Sequence, residues 1–417
     1  MRILKLTPPV EKKLLAARVA HDDDARAVAA RIVADVHKRG DTALLAWTKK
    51  LDQADLRAKD LWISQKEIRS ARRNVSPGFL RAIRQASRNI RRVAEQQLPR
   101  DWSVEVETGV RISRRVLPIE SVGAYIPGGH ASLFSTLLMI AIPAQVARVQ
   151  SIVTVCPRPS NELLAVANFL GMTEIARIGG AQAIAALAYG TKSIPRVEKI
   201  FGPGNKYVTA AKQLVSADCA IDLPAGPTEA IVLAEDGNAR WIAADLLAQA
   251  EHAPDAASFF VTTSRAFAQQ VAAEVAAQLA TLAPDNPAHR SIENAGAILL
   301  APSLRAACEF VNRFAPEHLS LPANSGILLK QIRSSGTVFL GPWAAQPLGD
   351  YATGSNHVLP TAGWARRRGG LSAADFVKCI TVQTISWKGF LRLADSAETF
   401  AEAEGLLAHR NAVRIRR

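Results

Sequence analysis

Two periodicities divide this chain. Over 23–55 and 64–97, apolar and polar residues recur at helical spacing, which predicts helices. From Val122 the pattern changes to short apolar runs alternating with helical stretches. Strands are expected at 122–127, 151–156, 174–178 and 197–201, with helices at 132–149, 162–170, 182–189 and 207–215. A second run follows, with strands at 230–234, 257–263, 295–300 and 336–340 and helices at 240–251, 267–279 and 304–314. Such alternation implies parallel sheets covered on both faces. Two successive runs predict two related α/β units, although no sequence repeat is strong enough to prove duplication. From about Ser372 the chain reads as helical and polar, a small appendage.

With 417 residues and 48% hydrophobic content, the chain exceeds what one compact domain uses, so two or more domains are expected. The most apolar run, 133–149, contains Pro143, Gln145 and Arg148. A membrane span needs about 20 nearly uncharged residues, so this run predicts a buried helix. Met1-Arg2-Ile3-Leu4-Lys5 is too short and too charged for a signal peptide. Cys156, Cys219, Cys308 and Cys379 are far apart, which predicts no zinc knuckle or redox pair and fits a cytoplasmic chain with reduced thiols.

The formal net charge is +14, with basic residues gathered in 66–100, in Arg366-Arg367-Arg368 and at the C-terminus. Clustering of this kind is one signature of nucleic-acid binding. Here no aromatic residues interleave it as single-strand binders require, and no binding module accompanies it. It reads as a solvated basic surface whose field attracts an anionic cofactor, with no nucleic-acid or membrane partner.

No Gly-x-Gly-x-x-Gly follows any expected strand, so a nucleotide would have to use other loops at strand ends. Three candidates occur on the first α/β unit: Pro127-Gly128-Gly129, Gly179-Gly180-Ala181-Gln182 and Gly202-Pro203-Gly204-Asn205. Each alone is an ordinary turn; three together point to a ligand cleft. Gln249 and His252, three apart near a helix end, share a face and form a possible metal-ligand pair, though a helix cap is the plainer reading. Pro316-Glu317-His318 places a carboxylate beside an imidazole, two possible proton carriers in a loop expected after a helix. The polar segment from Gly349 to His357 is a loop of the kind that carries function, with Asp350 a hard ligand and His357 a candidate for either role. Glu404 and His409 lie near a helix end.

The order of these segments is more telling than any one of them. Val122-Gly-Ala-Tyr-Ile-Pro-Gly-Gly129, Gly179-Gly-Ala-Gln-Ala-Ile-Ala-Ala-Leu187, Ile200-Phe-Gly-Pro-Gly-Asn205, Ile221-Asp-Leu-Pro-Ala-Gly-Pro227, Gln249-Ala-Glu-His252, Pro316-Glu-His-Leu319, Gly349-Asp-Tyr-Ala352, Asn356-His-Val-Leu-Pro360 and Ala408-His-Arg-Asn411 resemble the histidinol dehydrogenase family, over essentially the whole chain. The resemblance implies an NAD-linked, zinc-dependent four-electron oxidation of L-histidinol to L-histidine through histidinaldehyde, the last steps of histidine biosynthesis. It implies one Zn²⁺ per subunit on Gln249, His252, Asp350 and His409. Glu317 and His318 become the catalytic pair, His318 as base and Glu317 as activator of water. NAD contacts fall on Tyr125, Gln182 and Asn205. Substrate contacts fall on Thr228, Gln249, His252, His318, Asp350, Glu404 and His409. Glu404 and His409 would come from the neighbouring subunit of a homodimer with shared active sites.

The implied fold is α/β, with two Rossmann-like doubly wound domains lacking the glycine fingerprint and small N- and C-terminal helical domains. The boundaries expected are 1–24 for the N-terminal segment, 25–124 with 230–371 for a discontinuous first α/β domain, 125–229 for an inserted one that contacts NAD, and 372–417 for a C-terminal domain reaching the partner. Two positions depart from the family pattern. Thr228 replaces a common serine and keeps the hydroxyl, and His130 stands where small residues are usual. A relative that oxidises a sulfonated propanediol is the nearest rival. It would keep Glu317 and His318 but has no use for Glu404, whose charge suits a substrate ammonium and repels a sulfonate. An inactive relative is a further alternative, and the retained set of site groups argues against it.

Overall fold

The computed structural model describes residues 1–18, 22–128, 133–223, 226–322 and 326–417. The chain opens with strand β1 (Arg2–Lys5) and helices α1 (Pro8–Ala17), α2 (Asp23–Arg39), α3 (Asp41–Leu51), α4 (Gln65–Ala71) and α5 (Pro77–Gln97). A hairpin of β2 (Trp102–Glu107) and β3 (Val110–Pro118) leads into β4 (Ser121–Tyr125). Then follow α6 (Phe134–Val146), β5 (Ser151–Val155), α7 (Asn161–Phe169), β6 (Ile175–Ala176), α8 (Gly180–Tyr189), β7 (Lys199–Phe201), α9 (Lys206–Val215) and β8 (Ala220–Ile221). These strands form a parallel sheet in the order β6-β5-β4-β7-β8.

The second run comprises β9 (Glu229–Leu233), α10 (Ala239–Ala250), β10 (Ala257–Thr262), α11 (Arg265–Leu279), α12 (Ala288–Asn294), β11 (Ala297–Leu300), α13 (Leu304–Phe314), β12 (His318–Leu321), α14 (Gly326–Gln331), β13 (Thr337–Leu340) and α15 (Gln346–Tyr351). Its sheet has the order β1-β11-β10-β9-β12-β13, parallel throughout. Counted from the first strand of each unit, both sheets read 3-2-1-4-5, the second with β1 added at its edge. Topology therefore carries a likeness between the two units that sequence alone does not prove.

Three differences from the sequence reading have physical causes. Helices α2 to α5 sit on the five-stranded unit, not with 230–371. Ala29, Ile32 and Leu44 share a core with Val153, Ile184 and Val208, and Ile83 and Ile90 share one with Leu137 and Ile140. The apolar stripes of these helices are equally good against either sheet, so periodicity could not choose. Residues Val377–Ile385 form strand β14, not helix; β14 pairs antiparallel with β3 in a three-stranded sheet with β2. Most of β14 is exposed, so no apolar run announces it. Helices α16 (Trp387–Ala403) and α17 (Leu407–Arg414) complete the chain. Finally, the segment expected as a loop at Glu317–His318 enters β12, and Gly349–Tyr351 ends the short helix α15.

Helix α6 is buried on nearly every side, as an all-round apolar sequence requires. Pro143 lies inside it and lacks the N–H that would bond the carbonyl of Met139. Asn356 Nδ2 supplies the missing donor to that carbonyl at 2.7 Å. A proline defect in one unit thus becomes an anchor for the segment that follows Asp350. No helix among the described residues is long and apolar enough to cross a membrane.

Candidate active site

The two sheets offer opposite ends to chemistry. In the five-stranded sheet the candidate loops sit at the C-terminal strand ends, beside the point where strand order reverses between β4 and β7, as open parallel sheets favour. In the six-stranded sheet the candidate pair enters β12 at its N-terminal end, where His318 lies opposite Ala230 and Thr337.

Glu317 and His318 are buried. The β12 backbone fixes them, and Gly336 is obligatory beside it because a Cβ there would lie 2.5 Å from the Glu317 carbonyl oxygen. Glu317 Oε2 accepts from the Thr228 hydroxyl and from the Glu229 backbone N–H at 3.0 Å. Thr228 in turn accepts from Gln249 Nε2, and Gln249 Oε1 accepts from Gln346 Nε2. This chain of bonds orients Thr228, Gln249 and Glu317 in one direction. Burial pushes the Glu317 carboxyl up, against the opposing pull of His318 and of the Thr228 hydrogen bond.

The His318 ring lies between two carboxylates. Its Nδ1 is 3.7 Å from Glu317 Oε2 and its Nε2 is 3.7 Å from Asp350 Oδ1. At those distances neither nitrogen is hydrogen bonded, and both are buried without a partner. Burial disfavours the imidazolium, yet the Glu317 and Asp350 charges outweigh it, so the net direction is upward. Asp350 shows the reverse balance: burial raises it, but His318 and the nearby histidines hold it below the usual carboxylate range. Phe339 lies against the imidazole with ring centroids 6.0 Å apart, and Gly349 lets α15 approach that ring, since a Cβ there would sit 2.5 Å from it.

His357, open to either role in the sequence, is structural. Its Nδ1 is 2.8 Å from the Asp350 carbonyl and its Nε2 3.4 Å from Thr136 Oγ1. Burial lowers its basicity. It joins α6 to the Asp350 turn. His252, past the end of α10, is exposed and lies near Glu317, Asp350 and His357. The structure thus brings together Thr228, Gln249, His252, Glu317, His318 and Asp350. Glu404 and His409 are exposed, at the end of α16 and within α17. Among the described residues no group of three or more His, Cys, Asp and Glu is placed to hold a metal.

At the five-stranded sheet, Tyr125 ends β4 and its hydroxyl accepts from the Gly180 N–H at 3.2 Å. Gln182 is buried; its Nε2 donates to Asp52 Oδ2 at 3.0 Å while Oε1 has no partner. Asn205 caps α9, its Oδ1 accepting from Tyr207 and Val208 at 3.1 Å. Gly128 and Gly179 both pack on Pro157, where a Cβ would lie 2.6 Å away. Gly129 and His130 fall outside the described residues, as do Pro224 and Ala225 of the 221–227 segment.

Sequence reasoning missed four supporting groups. Arg18 pairs with Glu229 in the interior and also bonds the Phe314 and Ala315 carbonyls just before Glu317. Gln346 fixes Gln249, and Asp52 fixes Gln182. Lys212 and Asp222 form a buried pair beneath the Gly202 loop, Lys212 Nζ bonding the Gly202 carbonyl at 2.9 Å and Asp222 accepting its N–H at 2.8 Å. The first three partnerships join residues about a hundred or more apart, so no local signal marks them. Gly202 has φ +120° and a Cβ there would lie 2.1 Å from the Tyr125 carbonyl oxygen. Gly202→Ala is therefore expected to cost about 1–3 kcal/mol; a thermal melt unchanged from the parent would refute that strain.

A buried imidazole between two carboxylates, in an α/β fold with two open parallel sheets, is a candidate acid–base site. A family model described as "Histidinol dehydrogenase" matches residues 16–417. A histidinol dehydrogenase of Shewanella oneidensis is 46% identical over 398 residues, 92% of this chain and 91% of that one. One from Methanosarcina barkeri is 42% identical over 414 residues, covering 97% and 94%. The crystal structure of histidinol dehydrogenase from Elizabethkingia anophelis superposes with a TM-score of 0.94 at 39% identity, covering 100% of this chain and 98% of that one. The chain belongs to the histidinol dehydrogenase family and is an oxidoreductase.

Proposed function

We propose that this protein oxidises L-histidinol to L-histidine in two successive two-electron steps, with histidinaldehyde between them. The observation that carries the chemistry is His318: both ring nitrogens are buried and unpartnered, and flanking carboxylates favour its taking a proton. His318 accepts the substrate hydroxyl proton in the first step. Glu317 activates the water that hydrates the aldehyde before the second. Thr228 and Glu229 both donate to Glu317 Oε2, which holds the carboxylate in place for that role. NAD, when bound, supplies the electron acceptor for each step.

Tyr125, Gln182 and Asn205 are the proposed NAD contacts. The unpartnered Gln182 Oε1 fits a donor such as a ribose hydroxyl or carboxamide. Gln249, His252 and Asp350, completed by His409, are the proposed zinc ligands. Oxygen and imidazole donors suit Zn²⁺ or a similar borderline ion, and Cys156, Cys219 and Cys308 lie buried elsewhere. A metal held by these residues would supply a positive charge that orients the substrate. The same groups, with Thr228, His318 and Glu404, form the substrate pocket, and Glu404 bonds the substrate ammonium. Glu404 and His409 come from a second copy in a homodimer with shared sites. Exposed Trp387, Phe400, Leu407 and Ile415 on the C-terminal helices support such docking. A cytoplasmic location fits this role.

The test is the yield of NADH per L-histidinol, using purified protein, zinc and excess NAD. Two NADH with histidine as product are expected. One NADH with the aldehyde released would remove Glu317 from the second step, and none would turn the reading toward another small alcohol.

A further inference from the structure

The arginine-rich stretch that reads as a solvated surface forms one wall of a groove. On α5, Arg81, Arg84, Arg88 and Arg91 recur at three- and four-residue spacing and so share a face. Ile83, Ala86, Ile90 and Ala94 occupy the buried side. Arg84, Arg88 and Arg91 line a groove of about 460 Å³, closed by Gln145 of α6 and by Phe169 and Leu170 at the end of α7.

Three observations point to a missing anion. Among the described residues no carboxylate pairs with Arg84, Arg88 or Arg91, although most ion pairs elsewhere use arginine. The guanidiniums are not needed to cap α7 either, because Gln145 Nε2 already serves the Leu170 carbonyl at 2.8 Å, and Arg91 only steadies that glutamine at 3.2 Å. The third is Ser87, which lines the same groove, is only 8% exposed and has a buried hydroxyl with no partner. An unsatisfied buried hydroxyl is costly unless a ligand supplies an acceptor.

The shape narrows the ligand. At a rise of about 1.5 Å per residue, the stripe from Arg84 to Arg91 is roughly 10 Å long, long enough for several linked phosphates. Guanidinium forks match phosphate oxygens. Phe169, 44% exposed at the rim, offers one aromatic face, which suits one stacked base and not a strand of them.

We propose that this groove binds a nucleoside triphosphate, its phosphates on Arg84, Arg88 and Arg91, Ser87 donating to a phosphate oxygen and the base lying on Phe169. The site is separate from the proposed NAD contacts at the ends of β4 and β7.

The experiment is calorimetric titration of the full-length protein with ATP, tripolyphosphate or adenosine, with NAD saturating so that the cofactor cleft is filled. ATP and tripolyphosphate should bind, and adenosine alone should not. The double variant Arg84→Glu/Arg88→Glu should weaken ATP by at least about tenfold while keeping the parent rate of NADH formation. Phe169→Ala should weaken ATP and leave tripolyphosphate unchanged. If charge reversal prevents folding, Ser87→Ala with Arg88→Gln replaces it, with the same loss of ATP binding expected. No ATP binding at about millimolar concentration, affinity unchanged by these variants, or binding of an RNA oligomer without ATP would each overturn the proposal.

Discussion

Replacing His318 with alanine should slow turnover by about 10²–10⁴-fold, the usual contribution of a positioned base. The basis is local: the imidazole has no hydrogen-bond partner to lose, and its two near neighbours are carboxylates at 3.7 Å. Single-turnover NADH formation reads the chemical step, and histidinol affinity is measured alongside. The expected pattern is a lost rate with affinity nearly intact. His318→Gln, which preserves volume and polarity, separates loss of the base from a collapsed pocket. If both variants turn over at the parent rate, His318 is not the base. If both instead lose substrate binding with the rate of bound substrate preserved, its role is that of a ligand.

The second large effect is on stability. Arg18 and Glu229 are paired in the interior, with side chains 7% and 3% exposed. Arg18→Met leaves a buried carboxylate without its cation, a change that typically costs about 3–5 kcal/mol. Burial already pushes Glu229 up to about 7 with Arg18 present, and without the guanidinium the carboxyl moves further up. The sign of the pH dependence follows. A carboxyl whose folded value lies above its unfolded one opposes folding increasingly as pH rises between the two. The deficit of Arg18→Met relative to the parent should therefore be smaller at pH 5 than at pH 8. Denaturant midpoints at the two pH values measure it, and an equal deficit at both would show that Glu229 does not carry the cost. Because Arg18 also bonds the carbonyls of Phe314 and Ala315, the variant loosens the turn that delivers Glu317.

Much of this architecture was legible because parallel strands covered on both faces read as short apolar runs. The strands from β4 to β7 and those at β9, β10, β11 and β13 lie within the expected ranges or a residue of them. β1, β2, β3, β8, β12 and β14 were not legible. β1, β2, β8 and β14 lie at sheet edges, β3 is only partly covered, and β12 is four residues long and begins inside a segment read as a loop; β1 also finds its partner almost three hundred residues away. The site shows the same division. Gln249, Glu317, His318 and Asp350 stood out by chemistry in short segments. Arg18, Asp52 and Gln346 did not, because a supporting residue is defined by what it touches across the fold. His357 shows the converse: a histidine in a conspicuous polar segment that burial makes a strut.

The placement of β1 sets a schedule for the growing polypeptide. Arg2 pairs with Ala297, so strand β1 has no partner until almost three hundred further residues have been made. At about 5–20 residues per second that wait is roughly 15–60 s. The five-stranded unit, by contrast, draws all its strands from Ser121–Ile221, so they can pair while translation continues, before Val358, Leu371 and Phe376 join their core. Strand β1, tethered to that unit, then waits as an unpaired ribbon until β11 emerges, and one edge of the six-stranded sheet is closed by residues made long before their partners.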